Sequence, residues 1–203
     1  KLKSNNIPFD LKTIVLNQNK HEVLDMQQFA ENLGVRFRYS YNISPMIDGD
    51  KSTSQHRLEP EEAIEFDLKD EGRKQFWMNM NRKHTYTPKN LNKDKKYHVY
   101  FCKAAKHIFH IDANGKLHAC GRERCHGYDL LSGSFDEGWN VFLVSEIRDK
   151  VASKEYPCIE CEYYRLCDHC PADFELENGN PEKPSRFRCK IAKMRSETFN
   201  RLT

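Results

Sequence analysis

The stretch CIECEYYRLCDHC (residues 158–170) places four cysteines within thirteen residues, and it sets the character of the second half of the chain. All eight cysteines of the 203-residue chain lie in that half: Cys102, Cys120, Cys125, Cys158, Cys161, Cys167, Cys170 and Cys189. Such a density of cysteines is typical of a disulfide scaffold, a zinc site or an iron–sulfur site. The spacing of the cysteines helps to separate these three alternatives.

Disulfides are the weakest of the three interpretations. Eight cysteines allow many pairings, and nothing in their spacing selects one. A chain of 203 residues is also long enough to bury a hydrophobic core without covalent staples. We therefore expect free or metal-bound thiols.

The spacing favours a metal. Cys158 and Cys161, like Cys167 and Cys170, are separated by two residues, so a tight turn can aim both thiolates of each pair at one centre. Eight thiolates complete two four-cysteine sites. Zinc and iron–sulfur clusters use the same soft ligands, so ligand chemistry leaves both open. Only five residues separate Cys161 from Cys167, which suggests that the four cysteines of the run do not all bind one metal.

The composition excludes two classes of partner. The net charge of +3 is too small to indicate nucleic-acid binding. The longest aliphatic runs are a few residues long, against the roughly 20 that a membrane-spanning helix needs. The first residues also lack the charged, apolar and small-residue pattern of a secretory signal. We therefore expect no membrane partner and a cytoplasmic location.

The first half of the chain predicts a βαβ unit. Residues 11–17 form a short β-branched run, and residues 35–42 alternate apolar with polar side chains, as strands do. Between them lies a helical pattern that Asn19 can cap and Gly34 can end. A strand, a helix and a strand in about thirty residues imply parallel pairing. One or two further helices should begin at Pro60, with acidic residues in the first turn.

The second half has a different pattern. Residues 81–96 are polar, without an apolar period, and we interpret them as a linker. Beyond them, Asp112 to Gly115 predicts the turn of a β-hairpin. Residues 134–155 predict an amphipathic helix whose apolar side includes Trp139 and Val151, and residues 189–202 predict a last helix. The fold class is therefore α+β.

The order of the cysteines resembles that of the SPASM domain, the cysteine-rich C-terminal extension of many radical S-adenosylmethionine (SAM) enzymes. The matching order is Cys102, twelve residues, Gly115, four residues, Cys120, a gap, Cys158, Cys161, Cys167 and Cys170, a second gap, and Cys189. The segments DANGKLHAC, GSFDEGWN and CPADFELENGNPEKP strengthen the likeness. Residues 11–39 are similar to the closing βαβ unit of the family's partial βα-barrel. One departure is that two residues separate Cys167 from Cys170, where the commoner pattern has three.

The resemblance implies an architecture and a ligand set. Residues 1–95 would be a remnant of the parallel βα-barrel with its linker, and residues 96–203 a SPASM domain with a hairpin and helices. Two auxiliary [4Fe-4S] clusters would bind there. One would use Cys102, Cys120 and Cys170, with Cys125 as the fourth ligand. The other would use Cys158, Cys161, Cys167 and Cys189.

The resemblance also implies a function. The CxxxCxxC motif that binds the SAM-cleaving cluster is absent from the sequence, so we do not expect this chain to cleave SAM. We interpret the chain as the C-terminal fragment of a radical SAM oxidoreductase or peptide maturase. SAM would bind only to the full-length enzyme, which we call the parent. Its partners would be the missing N-terminal barrel, a peptide or protein substrate and a redox partner.

An alternative class of function remains open. The chain could be a non-catalytic binding module in which zinc or an iron–sulfur cluster is only a structural staple. Zinc could also fill the thiols if clusters are lost. With eight cysteines available, we expect His118, His126 and His169 to form hydrogen bonds near the site rather than to bind metal. Arg122, Arg124 and Arg165 lie beside the cysteines, where they could offset the negative charge of a cluster.

Overall fold

A computed structural model describes residues 1–82 and 96–202 of the chain. Its α-helices are α1 (Val23–Leu33), α2 (Pro60–Lys69), α3 (Glu71–Arg82), α4 (Phe135–Glu137), α5 (Pro171–Asn178) and α6 (Arg186–Asn200). Its strands are β1 (Leu11–Ile14), β2 (Phe37–Ser40), β3 (His110–Ile111), β4 (Lys116–His118) and β5 (Tyr128–Asp129). Helices and small sheets are thus mixed, in agreement with the predicted class. The predicted linker at residues 81–96 lies outside the described residues, except at its ends.

The βαβ prediction is confirmed. Strands β1 and β2 pair in parallel, in a register that runs from Leu11 opposite Phe37 to Ile14 opposite Ser40. Helix α1 connects them and ends at Gly34, whose φ of +66° is the left-handed conformation that glycine adopts at low cost. Both strands are shorter than the alternating pattern suggested.

The predicted role of Asn19 is wrong. Helix α1 begins at Val23, and the side chain of Asn19 caps no helix. Its Oδ1 accepts a hydrogen bond from the backbone N of Leu16 at 2.8 Å, and its Nδ2 donates to the carbonyl of Ile14 at 3.0 Å. Asparagine competes well for such local backbone bonds, so it closes the turn after β1 instead.

Helix α2 begins at Pro60 as predicted. Glu59 and Glu62 form a reciprocal capping box, in which each side chain accepts from the backbone of the other residue. The helical run then breaks at Asp70, where the backbone turns extended, and α3 follows at once. The Oδ1 of Asp70 accepts from the backbone N of Arg73 at 3.0 Å, which satisfies one of the free N–H groups at the start of α3.

The β-hairpin is also confirmed, and a third strand extends it. Strands β3, β4 and β5 form one antiparallel sheet in that order. The Oδ1 of Asp112 accepts from the backbone N of Asn114 at 2.9 Å and of Lys116 at 3.0 Å, so Asp112 forms the turn as expected. Gly115 takes the left-handed conformation, with a φ of +77°.

The helix predicted over residues 134–155 is shorter and wider than expected. Beyond α4 it continues as two π-helical turns, Gly138–Phe142 and Val144–Arg148. Val151, which the prediction placed on the apolar side, is exposed and pairs with His98 in a β-bridge. Beyond the helix, the backbone N of Ala152 bonds to the carbonyl of Tyr97, a contact with a distant part of the chain.

Helix α6 packs against residues from both halves of the chain. Ile191 packs in a buried cluster with Val15 and Leu58, and Phe199 packs with Trp77 and Leu166. A separate core lies under the three-stranded sheet and the π-helical turns. The division into units at residue 95 stays a prediction. Within residues 1–82 and 96–202, none of the helices has the length and apolar character that a bilayer crossing requires.

Candidate metal centre

The cysteines lie mainly on loops and turns around the start of α5, with α6 alongside. All eight thiols are free, as expected from the lack of a disulfide pattern. For clarity, group A comprises the predicted set Cys102, Cys120, Cys125 and Cys170, and group B comprises Cys158, Cys161, Cys167 and Cys189. The structure treats these two groups differently.

The four thiols of group B influence one another electrostatically. Burial is the main reason why the pKa of Cys167 is raised to about 12. The nearby thiol of Cys189 and, to a smaller extent, that of Cys158 raise it as well. Burial also raises the pKa of Cys158 to about 11, and the thiols of Cys161 and Cys189 act in the same direction. Burial and the Cys161 thiol raise the pKa of Cys189. Each thiol of the group therefore lies within electrostatic range of at least one other, although Cys189 comes from α6.

Group A is more open. The Nη1 of Arg122 lies 3.8 Å from the Sγ of Cys170. Burial acts to lower the pKa of Arg122, but Asp173, Cys170 and Cys120 raise it, so the Cys170 and Cys120 thiols flank one guanidinium. Cys102 is exposed, and it lines the same cavity as Cys170.

That cavity has a volume of about 730 Å³ and lies between the two groups. Cys102 and Cys170 of group A and Cys158 and Cys167 of group B line it. It therefore gives the thiols of both groups access to one shared space. Its other lining residues include Arg122, Phe101, Tyr164, His169 and Arg188.

Arg188, at the start of α6, is a cation whose charge acts on thiols of both groups. Its side chain is buried, and it donates to the carbonyl of Asp168 and to the carboxylate of Asp173. Burial raises the pKa of both Cys167 and Cys170, and the positive charge of Arg188 partly offsets that effect at each thiol. Arg188 was not among the predicted site residues, although its position beside Cys189 was the available signal.

Arg195 links residues 166–168, within the cysteine-rich stretch 158–170, to the first half of the chain by hydrogen bonds. This fully buried side chain donates to the carbonyl of Leu166 at 2.7 Å and to Asp168 at 3.1 Å, on either side of Cys167. It also donates to Asp67 of α2 at 2.9 Å. Its guanidinium lies 3.6 Å from the centre of the Trp77 ring of α3. No local pattern indicates a role for this residue, since its carboxylate partner Asp67 is far away along the chain.

The three histidines form hydrogen bonds within the protein, as predicted. His169 bonds through Nε2 to the hydroxyl of Tyr156, and burial followed by the charge of Arg188 lowers the pKa of His169 to about 4. The Nδ1 of His126 lies 2.8 Å from Oε1 of Glu123. His118 bonds to the carbonyl of His126 and to Asp112.

Cys125 has different neighbours from the rest of group A. Its Sγ, an oxygen of Glu123 and an oxygen of Glu175 all lie within 4.8 Å of one another. Burial, then Glu175 and Glu123, raise the pKa of the Cys125 thiol to about 11. Across residues 1–82 and 96–202, no other three Cys, His, Asp or Glu side chains meet this distance. The two carboxylates were not among the predicted site residues.

Comparison of the chain with protein-family models, with curated proteins and with solved structures gave no match. The arrangement of the thiols, carboxylates and arginines is therefore the observation from which a function can be proposed. Thiols from two separate parts of the chain line one cavity, and Cys189 from a third part lies within electrostatic range of two of them, an arrangement suited to holding a metal centre.

Proposed function

We propose that this chain binds two auxiliary [4Fe-4S] clusters, one on group A and one on group B, as in a SPASM domain. The observation that carries the proposal is the approach of Cys189 to Cys158, Cys161 and Cys167. These residues come from a loop and from a distant helix, and the cysteine order had assigned them to one cluster. A shared metal centre gives a physical reason for that approach.

The thiols of group B do not lie as close together as a single zinc ion requires. Four thiolates at 2.3 Å from a tetrahedral zinc ion lie about 3.8 Å from one another. No three thiols in the described ranges approach within 4.8 Å. A four-iron cluster holds its thiolates farther apart, because each one binds a different iron atom.

The buried arginines support the same proposal electrostatically. Four thiolates and a cluster carry net negative charge, and the charge and hydrogen bonds around a cluster set its reduction potential. Arg188 acts on a thiol of each group, and Arg122 contacts Cys170. Clusters with four cysteine ligands leave no iron open, which favours a role in electron transfer over direct substrate binding.

The proposed setting is a radical SAM oxidoreductase or peptide maturase. The parallel β1–α1–β2 unit would be a remnant of the barrel that carries the SAM-binding cluster in such enzymes, and residues 96–203 the SPASM domain. SAM, a peptide or protein substrate and a redox partner would then be bound by the parent enzyme. The chain itself should form no 5′-deoxyadenosine from SAM and a strong reductant, and product above background would contradict this setting.

Metal analysis tests the clusters. Protein purified without oxygen should contain about eight iron atoms and eight acid-labile sulfides per chain. Its broad visible absorption should bleach on addition of dithionite. Stoichiometric zinc without sulfide, in protein from anaerobically grown cells, would contradict the proposal.

A second candidate is a binding module with a structural metal. The observation that favours it is the bonding of Arg195 to both sides of Cys167, which makes the loop part of the folded core. A metal there would stabilise the fold without electron transfer. A colourless protein that contains zinc and unfolds on addition of a chelator would support this candidate.

A further inference from the structure

The surroundings of Cys125 differ from those of every other cysteine. Two carboxylates, those of Glu123 and Glu175, lie with its thiol inside 4.8 Å. Glu123 belongs to the loop that carries Cys125, whereas Glu175 belongs to α5. Folding therefore brings three potential negative charges together at one point.

Several polar atoms at this point lack partners. The side chain of Glu123 is fully buried, and its Oε1 accepts from the backbone N of His126 at 3.0 Å and lies 2.8 Å from the ring Nδ1 of His126. Its Oε2 has no hydrogen-bond partner, and neither has Oε2 of Glu175 or the buried hydroxyl of Tyr100. Unpaired buried carboxylate oxygens are costly, because they lose their hydration without compensation.

The neighbouring cations are engaged elsewhere or lie too far away. His126 serves the other oxygen of Glu123, and Arg122 contacts Asp173 and Cys170. Lys150 is near enough to influence the Cys125 thiol, but among the described residues it forms no ion pair with either carboxylate. The thiol and the two carboxylates thus lie together with His126 as the cation paired to Glu123, while one oxygen of each carboxylate has no hydrogen-bond partner.

We infer that Glu123, Cys125 and Glu175 form a binding site for one divalent transition-metal ion, Zn²⁺. A zinc ion accepts thiolate and carboxylate ligands together, and it would neutralise the group while satisfying the unpartnered oxygens. Mg²⁺ and Ca²⁺ prefer oxygen ligands alone, so the thiol excludes them. Three protein ligands leave a fourth tetrahedral position for water.

The zinc site is a separate inference from the proposed clusters. Only its competition with the cluster on group A rests on the proposed function. Cys125 is the fourth cysteine of group A, and one terminal thiolate does not serve both a cluster and a separate zinc ion. Zn²⁺ at this site and a four-thiolate cluster on group A therefore exclude each other. The carboxylates would hold zinc in the chain when that cluster is not assembled.

Zinc binding by the reduced, cluster-free chain tests the inference. Equilibrium dialysis should show that the Glu123→Gln/Glu175→Gln variant binds about one zinc ion fewer than the wild type, with affinity at this site weakened on the order of 100-fold. The matched control is Glu65→Gln/Glu155→Gln, which removes two exposed carboxylates and should bind as the wild type does. Equal zinc content and affinity in the Glu123/Glu175 variant would overturn the site.

Cobalt provides a probe of the thiol itself. Co²⁺ bound at this site should give a near-ultraviolet charge-transfer band with the intensity of one thiolate, and Cys125→Ser should remove that increment. Cys125 is exposed, so this variant should fold even if the double carboxylate variant does not. A cobalt spectrum identical in Cys125→Ser and wild type would exclude Cys125 as a ligand.

Iron loading separates this inference from the proposed function. The Glu123→Gln/Glu175→Gln variant should still take up about eight iron atoms per chain, whereas zinc-loaded wild type should take up about half as many. Zinc binding at the site with no iron uptake by any variant would contradict the proposed clusters and support the zinc site. Full iron uptake with zinc still bound at Cys125 would refute the competition between them.

Discussion

Asp67 and Arg195 are a fully buried ion pair on helices α2 and α6, with a distance of 2.9 Å between Oδ2 and Nε. Asp67 also accepts hydrogen bonds from Tyr41 and Arg73. Breaking such a pair by removing one partner leaves an uncompensated buried charge. At the scale of residues, these side chains therefore hold the segment around Cys167 against the helices of the first half of the chain.

The first prediction is that Arg195→Leu lowers the free energy of unfolding by about 2–3 kcal/mol, because it removes the fully buried one of the two arginines that pair with Asp67 and leaves only Arg73. Urea denaturation followed by circular dichroism measures the change. Arg186→Leu, an exposed position on the same helix, is the control and should change stability by less than about 0.5 kcal/mol. Equal effects of the two substitutions would contradict the assigned role of Arg195.

The second prediction concerns pH. The pKa values of Cys158 and Cys167 are raised from an ordinary 9.0 to about 11 and about 12, chiefly by burial, so the fold favours the neutral thiols. Their contribution to the stability of the metal-free chain is present below pH 9 and is lost as the pH rises toward 11 and 12. The melting temperature should fall over this range, and less so in Cys167→Ala. An identical fall in that variant would contradict the assignment.

At the scale of elements, local signals were sufficient where local contacts determine the structure. The β1–α1–β2 unit, the start of α2 at Pro60 and the Asp112 turn all follow from residues that act on their own neighbours. The π-helical turns could not be predicted in this way, because the same apolar spacing fits an α-helix. Nor does a local pattern indicate the bond that Ala152 forms beyond that helix with the distant backbone of Tyr97.

The third prediction concerns the hairpin. Gly115→Ala should lower the free energy of unfolding by about 1–2 kcal/mol, since φ is +77° and the new Cβ would lie 3.1 Å from Leu131. Thermal unfolding measures the loss. Gly121→Ala is the matched control, because its φ is not positive and nothing lies within 4 Å of the added Cβ. A loss in both variants, or in neither, would contradict the argument from conformation.

At the scale of the whole molecule, the assignment of the cysteines to two ligand sets stays a prediction, and the residues that hold the loops in place could not be predicted from sequence. The resemblance in cysteine order suggested group B, whose thiols influence one another's pKa values in the fold. The pairing of Arg195 with Asp67 spans 128 positions, and no local pattern indicates it. Glu175 approaches Cys125 for a similar reason, since only tertiary packing joins α5 to that loop.

The fourth prediction tests how the groups interleave. Cys158→Ala/Cys161→Ala should remove the cluster on group B and leave that on group A. Adding Cys189→Ala should then cost no further iron, whereas adding Cys170→Ala should reduce the iron content of the remaining cluster. Iron analysis of the two triple variants decides between the ligand sets. The reverse pattern would mean that they are wrongly drawn.

The indole of Trp77, which stacks on Arg195 and packs against Leu166, has an optical consequence. Leu166 precedes Cys167, so the fluorophore lies beside the proposed seat of one cluster, and iron–sulfur absorption would quench its emission by resonance energy transfer. Fluorescence should therefore rise as that cluster is lost, and Trp77→Phe should abolish most of the rise. Trp139 packs against the separate core under the three-stranded sheet and provides an internal reference. The purified chain thus contains its own gauge of cluster occupancy.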